Sequence, residues 1–97
     1  MYNFIFSEPF YNDIEAAYDN IEDIFDQTTA RKNLFKSLDN LLDKLQIMPF
    51  AWSLAKDEYL SSFGYRIVPI RKYILFFVVN EDEKTIEIHR FLHSSRD

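Results

Sequence analysis

The sequence predicts a two-layer α+β fold: an N-terminal strand, an antiparallel helical hairpin, then an antiparallel strand meander. Three observations lead there. The apolar period changes along the chain from two residues to helical spacing and back to two. The links between the periodic segments are short, which keeps neighbours antiparallel. A content of 47% hydrophobic and 18% aromatic residues in 97 is enough to fill one core. Residues 1–97 are therefore expected to form a single domain, without repeats or low-complexity tracts and with one glycine.

Met1 to Phe6 alternates, with Tyr2, Phe4 and Phe6 on one face, and reads as a short strand. Ser7 is a cap, Glu8 suits the helix dipole and Pro9 sits in the first turn, where its missing N–H costs little. The helix that follows carries Phe10, Ile14, Ala17, Ile21 and Phe25 on one stripe and is expected to end near Asp26. Gln27, Thr28 and Thr29 supply a turn and a second cap. Ala30, Leu34, Leu38, Leu41 and Leu45 then mark a second helix of similar length that stops before Pro49. Phe35 and Leu42 widen its stripe, so this helix is expected to lie flat on the sheet. Met48 to Phe63 is the least regular stretch, with an extra strand expected around Asp57 to Leu60 and with Trp52 as a lid over the core.

Strands follow at Tyr65 to Ile70, Lys72 to Val79 and Thr85 to Leu92. The middle one is apolar on both faces, which predicts a central strand covered on both sides. Pro69 belongs at a strand end or an edge. Strict alternation in the last strand puts Ile86, Ile88, Arg90 and Leu92 on one face, and Glu87, His89, Phe91 and His93 on the other. Arg90 thus interrupts an apolar row. It needs an acid partner, exposure at the strand end or an anionic ligand.

The net charge is -5, unevenly spread. Residues 1–30 hold seven acids and no Lys or Arg, which leaves nine acids against eleven bases beyond them. The whole discourages a nucleic-acid role and the basic remainder permits one. There is no cysteine, so thiolate metal sites and disulfides are excluded. The N-terminus lacks the pattern of an export signal, and the longest apolar run, Tyr73 to Val79, falls far short of the roughly 20 residues of a membrane helix. A cytoplasmic protein away from membranes is expected.

His89 and His93 stand about 13 Å apart on an ideal strand and cannot share a metal. No metal and no cofactor is expected, since phosphate loops and nucleophile elbows are absent as well. Cleavage of RNA by its own 2′-hydroxyl remains chemically open. His93 or His89 would exchange the protons, and Arg66, Arg71 or Arg90 would hold the phosphate.

The order of elements resembles the RelE/ParE superfamily of type II toxin–antitoxin toxins. The helices carry weak signals, Asp13-Ile14 with Ala17, Tyr18 and Ile21, then Ala30 to Pro49. The strong ones are Gly64-Tyr65-Arg66, Lys72-Tyr73-Ile74-Leu75-Phe76-Phe77, and Ile86-Glu87-Ile88-His89-Arg90-Phe91-Leu92-His93 closing in Ser95-Arg96-Asp97. They are similar to the family's G-x-R, x-Y-x-x-F-Y and I-x-R-x-x-H-x-x-R-D patterns, with Phe77 where a tyrosine is common.

The resemblance implies a growth inhibitor neutralised by a cognate antitoxin, as a homodimer or a hetero-oligomer with it. The closing residues and the acidity look ParE-like, which implies binding of DNA gyrase without chemistry of the toxin's own. Arg71, Lys72, Tyr73, His89 and Arg96 are then the expected residues for target or antitoxin. The alternative is a RelE-like endonuclease acting on mRNA at the ribosome, with His93, Arg66 and Arg90 as catalytic residues. A further alternative is a non-toxic interaction module on the same fold.

Overall fold

A computed structural model describes residues 1–21 and 26–95. Strand β1 (Asn3–Phe6) passes through Ser7 into helix α1 (Glu8–Asp19). Ser7 caps as expected, its Oγ accepting the Phe10 N–H at 3.1 Å. The same hydroxyl donates to the His89 carbonyl at 2.7 Å, so the cap also fastens α1 to the last strand. Helix α1 ends at Asp19, well before the expected Asp26. Asn20 closes it: its backbone N–H at 2.9 Å and its side-chain amide at 2.8 Å both donate to the Ala16 carbonyl. An asparagine amide that competes for a helix carbonyl overrides apolar spacing. Phe25, the last position of the expected stripe, lies outside the described residues.

Helix α2 (Gln27–Ile47) is capped by Asp26 rather than by the threonines, with Asp26 Oδ1 accepting the Thr29 N–H at 3.0 Å. The helices are unequal, 12 residues against 21, where similar lengths were expected. They still run antiparallel. Arg31 Nε donates to the Tyr18 carbonyl at 2.8 Å at one end, and the Gln46 carbonyl accepts the Tyr2 N–H at 3.1 Å at the other.

A 3-10 turn (Pro49–Ala51) follows, then a short helix α3 (Glu58–Ser62) in place of the expected strand around Asp57 to Leu60. The correction has a local cause. Asp57 Oδ1 accepts the Leu60 N–H at 3.0 Å, a helix cap that draws the backbone out of extended geometry. Strand-like pairing occurs just upstream, where Leu54 bridges Arg66. Gly64 then leaves α3 with φ 82°, a left-handed conformation that strains any other residue.

The sheet has the order β1-β4-β3-β2, with β2 Tyr65–Ile70, β3 Tyr73–Asn80 and β4 Thr85–His93. Strand β1 lies parallel to β4, and the other pairs are antiparallel. Pro69 is in the edge strand β2, as expected. Strand β3 is central, but only one of its faces is covered. Tyr73, Leu75 and Phe77 are buried beneath the helices, while Ile74, Phe76 and Val78 on the other face are half-buried.

A β-bulge corrects the expected alternation in β4. Phe76 pairs with Arg90 and Phe77 with Ile88, so His89 is the extra residue. Beyond it the side chains change faces. Ile86, Ile88 and Phe91 are all buried, and Arg90 joins Glu87 and Leu92 on the open face. The guanidinium therefore does not interrupt the core row. The core collects Phe10 and Ala17 of α1, Leu34, Leu38, Leu41 and Leu45 of α2, and the inner faces of β2, β3 and β4; Trp52 packs against it as a lid.

Candidate functional site

The open face forms a groove of about 610 Å³. It is lined by Phe76, Val78 and Leu92 of the sheet, by Tyr59 and Leu60 of α3 with Phe63 just after it, and by Tyr65, Glu87, His89 and Arg90. The Tyr59 and Phe63 rings meet edge-on at 5.1 Å and are largely exposed, at 72% and 59%. An apolar trough with a few fixed polar groups is what a recognition site requires.

The bulge places His89 in this wall. Tyr65 Oη lies 2.6 Å from His89 Nδ1, and Glu87 Oε1 lies 3.2 Å from Nε2. Both ring nitrogens are thus engaged. Arg90 is held by Asp13 of α1 in a two-pronged bond, Nε to Oδ2 at 2.7 Å and Nη2 to Oδ1 at 2.9 Å. The acid partner Arg90 needs is therefore present, 77 residues away in sequence. Asp13 Oδ2 also accepts the Phe91 N–H at 3.0 Å, which satisfies β4 where β1 no longer runs beside it. These bonds from Asp13 raise the guanidinium pKa further above its ordinary value.

The remaining candidates lie elsewhere. Arg66 points to the helix side, donating to the Trp52 carbonyl at 2.7 Å with its guanidinium 4.9 Å from the centre of the Phe50 ring. It anchors the loop before α3. His93 pairs with Tyr73 at the other end of the sheet, their rings edge-on at 5.2 Å, and its Nδ1 lies 2.7 Å from Ser95 Oγ. Tyr73 is buried and stacked on Phe91 at 4.9 Å. Arg71, Lys72, Tyr73 and His93 do converge, lining a second hollow of about 190 Å³ with Ile21, Ala30 and Leu34. Arg71 takes φ 54° in the β2–β3 turn and donates to Ser37 Oγ at 3.2 Å. Arg96 lies outside the described residues.

His93, Arg66 and Arg90 are thus not brought together. Arg66 is four residues along β2 from Ile70, the partner of Tyr73, hence about 13 Å from the His93 end. Arg90 is on the opposite face. Among the described residues no group of three His, Cys, Asp or Glu side chains could hold a metal ion. Sequence reasoning missed Tyr65 and Asp13 as site residues; the one available signal was the unmet need of Arg90 for an acid.

A family model, the ParE toxin of the type II toxin–antitoxin system parDE, matches residues 4–97. The chain belongs to the ParE toxin family. Among curated protein sequences none matches it significantly. Solved structures share the fold. The chromosomal ParDE system of P. aeruginosa superposes with a TM-score of 0.70 at 18% identity, over 96% of each chain. A YoeB/ParE toxin from Agrobacterium tumefaciens gives 0.67 at 11%, over 94% of this chain and 96% of its own. The DinJ–YafQ complex of E. coli gives 0.62 at 17%, over 98% and 96%.

In this ParE-family toxin several signature positions serve the fold. Gly64 supplies the left-handed exit from α3, Arg66 ties down the loop, and Tyr73 and Phe77 are core residues. Tyr65, Glu87, His89 and Arg90 of the groove remain at least partly exposed.

Proposed function

We propose that the protein is a growth-inhibiting toxin of the cytoplasm that binds DNA gyrase and is neutralised by a cognate antitoxin. What supports the gyrase branch is the separation of the three would-be catalytic residues. Arg66 is committed to the Trp52 carbonyl, Arg90 to Asp13, and His93 stands at the far end on the helix side. A transition state for phosphodiester cleavage needs base, cation and acid around one atom. The net charge of -5 adds to this, since a surface that settles among ribosomal phosphates is expected to be basic. That solved structures of the same fold include a ParDE toxin–antitoxin system and the DinJ–YafQ complex supports the antitoxin, and the open groove and the hollow beside His93 are the surfaces it would cover.

Two assays decide it: gyrase supercoiling, and ribosome-dependent mRNA cleavage. Inhibition of supercoiling that survives His93→Ala is the expected result. Cleavage of mRNA lost in the same variant, with gyrase unaffected, would transfer the protein to the nuclease branch.

A further inference from the structure

The sheet ends in two edges that are built differently. Along β2, Leu54 bridges Arg66, the Ala55 N–H donates to the Tyr65 carbonyl at 2.9 Å, and Pro69 has no N–H to offer. Such features close an edge to further strands. Strand β1 has none of them, and residues 1–7 contain neither a charged side chain nor a proline. Its outward groups follow from its pairing with β4. The Asn3 N–H donates to the Lys84 carbonyl and the Ser7 N–H to the Ile88 carbonyl, both at 3.0 Å, so Tyr2, Phe4 and Phe6 turn their backbone groups away from β4. Tyr2 is occupied by the end of α2. Its N–H donates to the Gln46 carbonyl at 3.1 Å, and its own carbonyl accepts from Gln46 Nε2 at 3.2 Å. Among the described residues none pairs with the outward backbone groups of Phe4 and Phe6.

We propose that this edge pairs with β1 of a second copy of the chain, antiparallel about a two-fold axis at Ile5, joining the two sheets into one. The register is self-complementary. Phe4 of each copy exchanges its N–H and C=O bonds with Phe6 of the other, which satisfies every open group. A two-fold at Phe4 would instead set Phe6 against Tyr2, already engaged by Gln46, and one at Phe6 would set Phe4 against Glu8, already helical.

The ends of the strands select a second copy over an unrelated strand. Opposite Tyr2 falls Glu8 of the other copy, where that chain has left the sheet to begin α1. A strand that ran straight on would strike Gln46. The turn at Ser7 also brings the first turn of α1 toward the last turn of the other copy's α2, so opposite ends of two helix dipoles meet. Apolar surface is gathered at the same place. Ile5, 52% exposed, faces its own copy at the axis, and Tyr11, whose ring lies 6.0 Å from that of Phe6, approaches the exposed Ile47 and Met48 that follow Gln46. Covering these side chains supplies the hydrophobic burial that hydrogen bonds alone do not give.

The chain has no cysteine, so a single introduced one reports the register. At the centre of the pairing the two Ile5 Cα atoms would stand about 4.5 Å apart, within the span of a disulfide. Ile5→Cys, incubated with oxidised glutathione, is expected to form a covalent dimer. Asn3→Cys, exposed in the same strand, would lie opposite Ser7 and roughly 13 Å along the strand from its own copy, and should remain uncross-linked. In sedimentation velocity the unaltered chain should reach twice its monomer mass as concentration rises. Ile5→Lys sets two ammonium groups face to face and should sediment as a monomer with an unchanged circular dichroism spectrum. A monomer at every concentration, equal cross-linking of the two cysteine variants, or a dimer that persists in Ile5→Lys overturns the proposal, the first by leaving the edge to a strand of another protein. None of these readouts involves gyrase or an antitoxin, so failure of the toxin reading shows separately.

Discussion

Asp13 accepts three hydrogen bonds with a carboxylate only 11% exposed, whereas the guanidinium it holds is 47% exposed. The bond is therefore more valuable to the fold than a surface ion pair, because its loss strands the Phe91 N–H as well as the Arg90 charge. Asp13→Ala is expected to cost about 2 kcal/mol, read as a lowered urea midpoint, with Asp13→Asn recovering part of it. Phe77 shows the opposite economy of polar groups. It is fully buried, and a tyrosine there would need room and a partner for its hydroxyl. Phe77→Tyr should destabilise by roughly 1–3 kcal/mol in the same assay, and a neutral result would mean that the core has space for the oxygen. At the surface, Glu81 links the Tyr2 hydroxyl and the Lys84 ammonium. Its carboxyl is held below the ordinary range by its bonds to Lys84 and then Tyr2, so its contribution exists above that range and is lost as pH falls through the lowered pKa. Lys84 and Tyr2 are each raised, chiefly by Glu81, so their contribution exists below their ordinary values and is lost as pH rises past the raised ones. The stability difference between the protein and its Glu81→Gln variant should be flat from about pH 5 to about pH 9 and shrink on either side.

At the level of elements, the bulge in β4 decides the most. With His89 as the extra residue, Ile86, Ile88 and Phe91 all reach the core although the spacing between the last two is odd. Deleting His89 should restore strict alternation, turn Arg90 inward and Phe91 outward, and leave the chain unfolded by circular dichroism; a native spectrum would show that β4 can slip to another register. The start of α2 is a smaller case of local control. Asp26→Ala removes the cap on Thr29 and should lower the midpoint of thermal unfolding. Caps were partly legible in advance. Ser7 stands out by its place before Glu8 and Pro9, but Asp57 carries no such signal because the apolar residues near it have no helical period to announce five helical residues.

For the whole molecule, the arrangement of two helices on one side of a four-stranded sheet leaves the other side open. The α+β class, the order of elements, the leucine stripe of α2, the three C-terminal strands and the resemblance to the toxin superfamily are all legible in the residues alone. Those depend on local propensity and on periodicity, which neighbouring residues carry. The parallel pairing of β1 with β4, the covering of β3 on a single face and the destination of each candidate side chain emerge only on folding. Arg66 and Arg90 read alike as cations on strands, yet one faces the Trp52 carbonyl beneath the helices and the other, on the open face, reaches Asp13 of α1. The reason is physical. A one-residue bulge reverses every side chain beyond it, and the partners of Arg90 and His89 are separated from them by 77 and 24 residues, distances over which no sequence period operates.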